Sequence, residues 1–428
     1  MLPTPMIKNK ITLMFMCLCI STHYLLAQKN ILFIGGIAHL GNGLQIENSV
    51  IGIEDDKFSL VADANFFNIN PTAYDTIIKI DGKHIYPGFI APNTTLGITE
   101  IGAVRATHDF KETGNINPNV RSLIAFNTDS KISKTVRSNG VLIAQVTPRG
   151  GMFSGQSSVM KLDGLNWEDA VIRIDDGIHL NWPKSYYYTG WWANPGENKK
   201  NEKYLKKIEE IQDFLTKAAS YAKSSNIIDL RMESMKGLFN GNKTLYIHVD
   251  YTKEIRHSIE MATDLKIQKI VIVGGEDALN TIDLLKKHKI PLILNRVHRL
   301  PESEDRFIDE PYTQARKLKE EGILFCFSYA GDMEAMGTRN LPFSVGTSVA
   351  YGLNYEDAIS AITLNTAKIL GIDKDNGSIE YGKNATFFIS SGDALDIKTN
   401  NVEKAFINGQ EIDLNNHQKE LFHKYKVR

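Results

Sequence analysis

His84-Ile-Tyr-Pro-Gly-Phe-Ile-Ala-Pro-Asn-Thr-Thr-Leu-Gly97 is the stretch whose reading decides the architecture of this chain. Pro87-Gly88 punctuates it, and the apolar residues that follow read as a buried strand. Asn93 and Thr95 stand towards the end of that strand. Neutral amide and hydroxyl oxygens are poor zinc ligands beside imidazole or thiolate.

Upstream, Asn30-Ile-Leu-Phe-Ile34, Ser49-Val-Ile-Gly-Ile-Glu54 and Thr76-Ile-Ile-Lys79 are β-branched, apolar runs that end in Gly or Asp turns, and they predict short strands. The carboxyl end repeats this style in Ala385-Thr-Phe-Phe-Ile-Ser390 and Val402-Glu-Lys-Ala-Phe-Ile407. Two strand-rich ends around a mixed middle predict one small β domain built from both. The middle alternates. Val141–Val146, Thr244–Val249, Lys269–Gly274, Pro291–Leu294 and Ile323–Phe327 read as strands. Glu202–Ser225, Thr252–Thr263, Ala278–His288 and Tyr312–Glu321 read as helices, and two more helices fall between Phe343 and Leu370. Apolar strands followed by helices predict a parallel sheet covered on both faces. A (β/α)8 barrel and a doubly wound open sheet fit this period equally.

The 428 residues suffice for one large domain and a smaller one, and 42% hydrophobic with 23% charged residues is ordinary for a globular protein. A net charge of -1 gives no electrostatic case for nucleic acid or an anionic membrane. Lys8 and Lys10 precede an apolar run from Ile11 to Leu26, with Ala27 before Gln28. This predicts a cleaved leader over residues 1–27, export to a periplasm, and no transmembrane segment in the mature chain. Cys17 and Cys19 would leave with the leader. Cys326, in an apolar run, is expected to be a buried structural thiol. Residues Trp182–Lys206 are aromatic-rich and read as a loop packed on the protein's own surface, with an excursion over a site as the other reading.

The opening stretch resembles the first barrel strand of the amidohydrolase superfamily, in its imidazolonepropionase-like branch. There the pattern runs Pro-Gly-(Leu/Phe)-Ile-Asp-(Ala/Gly)-His-(Thr/Ser)-His-Leu. Arg339-Asn-Leu-Pro-Phe343, Ala361-Ile-Thr-Leu-Asn-Thr-Ala-Lys-Ile-Leu-Gly371 and Gly377-Ser-Ile-Glu-Tyr-Gly-Lys-Asn-Ala385 are similar to that family's closing segments. The resemblance chooses the fold: α/β, a (β/α)8 TIM-like barrel over residues 85–376, with a small β-sandwich domain from residues 28–84 plus 377–428.

The resemblance also implies hydrolysis of non-peptide or cyclic carbon–nitrogen bonds by one divalent metal (zinc, manganese or iron) at the barrel mouth. Here the departures begin. Ala91 stands at the aspartate position of the first strand, and Asn93 and Thr95 stand at the two histidine positions. His248 occupies the fifth-strand ligand position. Gly274 and Gly275 stand where a sixth-strand histidine is expected, and Glu276 and Asp277 beyond them read as a helix N-terminal acidic pair. Ser328 or Tyr329 falls near the eighth-strand aspartate, with Asp332 about three residues late. The fourth strand is not identified; Gln145 belongs to an earlier one. The expected set is therefore His248 and Asn93 for metal and Asp332 for catalysis. Arg149, in the Gly-rich Thr147–Gln156 loop, is a substrate-binding candidate that would assist the loop amides in holding an anion, and His298, Arg299 and Arg339 read equally as binders of a substrate carboxylate or as partners of Glu304 or Glu310. His108-Asp109, Asp175-Asp176 and the charges at 302–305 read as solvated loop charges. Gly-x-Ser-x-Gly is absent, which argues against a serine hydrolase. Two functions follow: a remodelled metal-dependent hydrolase, or a catalytically inactive binding or partner subunit on the same fold. The expected ligand is a small molecule or short peptide, and the expected assemblies are a homo-oligomer or a complex with an intact amidohydrolase.

Overall fold

The structure, a computed structural model, describes residues 30–191, 193–223, 227–301 and 306–426. The expected leader with Cys17 and Cys19, Trp192, and the charges at 302–305 lie outside the described residues.

Both chain ends meet in a two-sheet sandwich. One sheet has four strands, β1 (Asn30–Ile34), β4 (Ser49–Glu54), β5 (Lys57–Asp63) and β6 (Thr76–Lys79), in the order β5-β4-β1-β6. The other joins β2 (Ile37–His39), β3 (Gln45–Ile46) and β7 (His84–Pro87) to β18 (Phe387–Ser390), β19 (Val402–Ile407) and β20 (Gln410–Glu411). The seam between the chain ends is the antiparallel β7–β18 ladder, with Phe387 opposite Pro87. Phe33 packs edge-on against Phe387 and Phe406 with ring centroids 5.3 and 5.4 Å apart. All three rings are buried.

The eight-stranded sheet begins immediately after β7 with β8 (Phe89–Thr94). It continues through β9 (Val141–Val146), β10 (Phe153–Lys161), β11 (Val171–Asn181), β14 (Thr244–Val249), β15 (Ile270–Gly274), β16 (Leu292–Leu294) and β17 (Phe325–Phe327). Neighbouring strands in the sheet follow chain order, and the sheet curls into a nearly closed barrel. Its seam between β8 and β17 is bridged: the Ile90 amide donates to the Ile362 carbonyl, and the helix Leu364–Leu370 packs against both strands. One departure from the regular pattern stands out. β10 runs antiparallel to both β9 and β11, and the other adjacent pairs are parallel. Thus the end of the Gly-rich stretch, residues 153–156, is strand and not loop. Three helices, not two, follow Phe343's neighbourhood: Leu341–Ala350, Tyr355–Ala361 and Leu364–Leu370.

The barrel interior is layered, as barrel cores are. The lower layer is apolar: Ile90, Ile143, Val159, Val271, Ile293 and Cys326 cluster with Ala367, Ile369 and Leu370 of the closing helix. Cys326 is a free buried thiol in that layer, and burial holds its proton on well above the usual range. The upper layer is polar and carries the site. The Trp182–Lys206 segment contains a hairpin of β12 (Tyr186–Tyr188) and β13 (Asn198–Lys200), and Tyr186, Tyr187, Tyr188 and Trp191 remain exposed on it. Among the described residues, no helix is long and apolar enough to cross a membrane.

Candidate functional site at the barrel mouth

β8 ends irregularly. Asn93 takes a φ of 51°, and the β8–β9 register slips between Ala91 and Thr94. Asn tolerates this left-handed region better than most residues. The twist is anchored at once: the Asn93 amide donates to Gln145 Oε1 at 3.1 Å, and both residues are buried.

Arg149 closes over this turn. Its Nη1 donates to Asn93 Oδ1 at 2.9 Å, and Nη2 to the Asn93 carbonyl at 2.8 Å. Nε and Nη2 form a fork on Glu334, both at 3.0 Å, and Nη1 also reaches the Thr147 carbonyl at 3.4 Å. Every guanidinium N–H therefore has an acceptor, and the bidentate pairing with Glu334 is the strong geometry for this ion pair. The fork ties the loop after β9 to the start of the helix Glu334–Gly337 after β17.

Below the latch lies a connected polar layer. The backbone amide of Asn93 fixes the orientation of Gln145, so its Nε2 donates inwards, to Asp176 Oδ2 at 2.8 Å and Ser157 Oγ at 3.2 Å. Tyr246 Oη donates to Asp176 Oδ2 at 2.6 Å, and Ser157 Oγ to Oδ1 at 2.7 Å. His179 Nε2 meets Ser157 Oγ at 2.9 Å, and His179 Nδ1 meets His248 Nε2 at 2.9 Å. The His179 ring also stacks on Tyr246, centroids 4.7 Å apart. Gly177 makes room for that ring: a Cβ there would lie 2.4 Å from Tyr246.

The electrostatics follow from burial. Desolvation pushes His179 well below the usual histidine range, and the His248 and Arg149 charges add to the effect. Burial, then Arg149, lowers His248 to about 3. Both rings are neutral near pH 7. Burial raises the Asp176 carboxyl, opposed by the bonds from Tyr246 and Ser157, the charge of Arg173 and the bond from Gln145.

Of the sequence-derived candidates, Asn93, Arg149 and His248 fall within this one network. Asp332 is exposed; its carbonyl accepts from Arg296, and its side chain lines a groove of about 500 Å³ with Thr95, His108, Phe110, Glu334 and Met336. His298 bonds to Thr347 Oγ1 at 2.6 Å, and Arg339 turns towards Met336, its Nη1 3.7 Å from the sulfur; neither touches the latch. Arg299 pairs with Glu276 at 3.0 Å. Asp277 accepts from Thr252 and pairs with Arg306. The sixth-strand glycine is conformational: Gly274 has a φ of 100°, and a Cβ on it would lie 2.3 Å from Asp250 Oδ1.

The sequence reading missed the fourth strand, which is β11, and with it Asp176 and His179. Asp176 is fully buried, not a solvated loop charge. The register between β10 and β11 slips here and Asp175 takes a φ of 46°, which brings Asp176 onto Ser157. The signal available was Gly177-Ile-His-Leu-Asn181, a strand end with a lone histidine. Glu334 was missed because nothing local distinguishes it from other loop acids.

Among the described residues, no three His, Cys, Asp or Glu side chains come together in a way that would hold a metal ion. The donors at the mouth are two imidazoles bonded to each other and an amide already engaged by arginine, and this set does not fit a zinc site of three or four ligands.

The profile of the amidohydrolase family matches residues 209–412. The chain is 24% identical over 374 residues to an imidazolonepropionase of Flavobacterium johnsoniae, covering 81% of this chain and 85% of that protein. It is 25% identical over 396 residues to one of Caldanaerobacter subterraneus subsp. tengcongensis, covering 82% and 86%. The match to a Flavobacterium psychrophilum imidazolonepropionase, 25% identical over 268 residues, spans 58% of this chain and 63% of that protein. In three dimensions the chain superposes on an amidohydrolase from Thermotoga maritima with a TM-score of 0.75 at 23% identity, over 90% of this chain and 99% of that one. The family profile and the imidazolonepropionase relatives, with this shared fold, support a hydrolase of carbon–nitrogen bonds as its class. Together the family profile, the imidazolonepropionase relatives and the shared fold support the amidohydrolase superfamily, in its imidazolonepropionase-like branch.

Proposed function

We propose that this chain is a ligand-binding member of that class whose barrel mouth does not run metal-dependent hydrolysis. The observation that carries this reading is the Arg149 guanidinium, seated on Asn93 where the family resemblance implies a metal-binding histidine. A guanidinium stays charged at every working pH and repels a divalent cation. Its fork onto Glu334 also engages a nearby carboxylate. The ligand seat is the groove lined by Thr95, Asp332 and Glu334, whose volume of about 500 Å³ suits a small molecule. The relatives' name suggests an imidazolone-like cyclic amide as the ligand class.

A second reading, the metal-dependent hydrolase, draws on one observation: His179 and His248 are adjacent and neutral, and neutral imidazole is the form that ligates metals. One experiment separates the two. The full chain is purified without chelators, its metal content is measured by elemental mass spectrometry before and after soaking in zinc or manganese, and hydrolysis of imidazolone propionate is assayed. We expect no stoichiometric metal and no turnover. One metal per chain, lost in His248→Ala, with turnover, would establish the hydrolase instead.

The basic, apolar first residues support export to the periplasm. Amino-terminal sequencing of the mature protein tests this, and a start far from Gln28 refutes it. A complex with an intact amidohydrolase is tested by co-purification from the native host; recovery of the chain alone at the mass of a monomer counts against both that complex and a homo-oligomer.

A further inference from the structure

The directions of the buried hydrogen bonds are mutually constrained. The Asn93 amide N–H can only donate, so Gln145 presents Oε1 to it and turns both Nε2 hydrogens inwards. Asp176 then faces donors from Gln145, Tyr246 and Ser157, the coordination of an ionised carboxylate. Because the Ser157 proton goes to Asp176, Ser157 Oγ is an acceptor towards His179, whose Nε2 must carry the hydrogen. His179 Nδ1 is therefore a lone pair, and His248 Nε2–H donates to it. His248 Nδ1 is left without a hydrogen, and among the described residues no hydrogen bond reaches it. His248 is half-buried at the end of β14, whereas His179, Ser157 and Asp176 have no exposure.

We propose that Asp176, Ser157 and His179 form a positioning relay that locks His248 as the Nε2–H tautomer, so that its Nδ1 is held as a lone pair at the end of β14. This inference does not rest on reading the mouth as a binding site.

The test is nitrogen NMR on the full chain labelled with 15N-histidine, with resonances assigned through His179→Gln and His248→Gln. Both rings are expected as the Nε2–H tautomer. A His248 carrying its hydrogen on Nδ1 would overturn the relay, since that is the pattern a protonated Asp176 would impose along the same chain. Ser157→Ala, checked for folding by near-ultraviolet circular dichroism, is expected to leave His248 as a mixture of tautomers. An unchanged single tautomer in that folded variant would show that the ring is fixed locally and not through the relay. The unsubstituted chain decides the tautomer even if the variant fails to fold. Metal content and turnover are separate readouts, so loss of the binding-protein reading would leave the tautomer result standing.

Discussion

Arg149 and Glu334 show how much one ion pair can organise. Their side chains are 21% and 13% exposed, so the pair sits between the surface and interior regimes. Removing one partner leaves the other partly buried and unpaired. Arg149→Met should cost about 2–4 kcal/mol in urea unfolding. Arg149→Met with Glu334→Leu should recover most of that, because no uncompensated charge remains. Equal losses in the single and double variants would mean that Arg149 acts through Asn93 and not through Glu334. The same residue explains part of the pH response. His179 and His248 are held neutral in the folded state, whereas in the unfolded chain each gains a proton near pH 6.5. Their depressed values give stability that is complete above that pH and falls as pH drops towards the folded-state value, about 3 for His248. Each histidine should contribute a slope of about 1.4 kcal/mol per pH unit between pH 6 and 5. Urea titrations at several pH values check this, and His248→Asn should flatten the dependence.

Among the elements, β8 and β15 carry the differences from the family pattern in their backbones as well as their side chains. A histidine installed at Gly274 would need a left-handed φ of 100° and a Cβ 2.3 Å from Asp250 Oδ1. Gly274→His should therefore lower the thermal midpoint and fail to create zinc affinity by calorimetry, even beside Asn93→His and Thr95→His. β11 makes a related demand. Gly177→Ala places a methyl group against the Tyr246 ring and the Thr244 carbonyl, so it should cost about 1–3 kcal/mol and disturb the His179–Tyr246 stack. Loss of the tyrosine's near-ultraviolet circular dichroism would report that disturbance. The periodicity made most parallel strands legible, because buried apolar runs followed by amphipathic helices have few other readings. It did not reveal β10, whose Phe153-Ser-Gly-Gln-Ser-Ser158 start is polar and Gly-bearing. Its small polar side chains face a polar barrel layer, so no hydrophobic pattern marks them as strand.

Across the whole molecule, the two chain ends are one folding unit. Phe387 and Phe406 come from the carboxyl end, yet they share a core with Phe33, Ile31 and Ile51 from the amino end. Phe406→Ala should cost about 3–5 kcal/mol by cavity formation. It should also expose β1–β7 to proteolysis before the barrel is cleaved, a sequence that limited digestion followed by mass spectrometry would reveal. Cleavage starting in the barrel would mean that the sandwich does not depend on that core.

The sequence by itself determined the alternating strands and helices and the β domain from both ends, because these depend on strand and helix periods, and its resemblance to the family, through contiguous motifs such as Pro87-Gly88-Phe-Ile90 and Gly377–Ala385, chose the barrel over a doubly wound sheet. It also placed Asn93, Arg149 and His248 as residues to watch. Only the tertiary structure decided what they do together. Asn93, Gln145, Ser157, Asp176, His179, Tyr246 and His248 lie on five different strands, and Glu334 opens the short helix Glu334–Gly337 beyond them. A hydrogen bond between strands depends on register, bulge and ring orientation, and these are set by packing over the whole barrel. Asp176 reads as a surface charge in sequence and is fully buried in the fold, since the irregularity at the neighbouring Asp175 is invisible until the strands are paired.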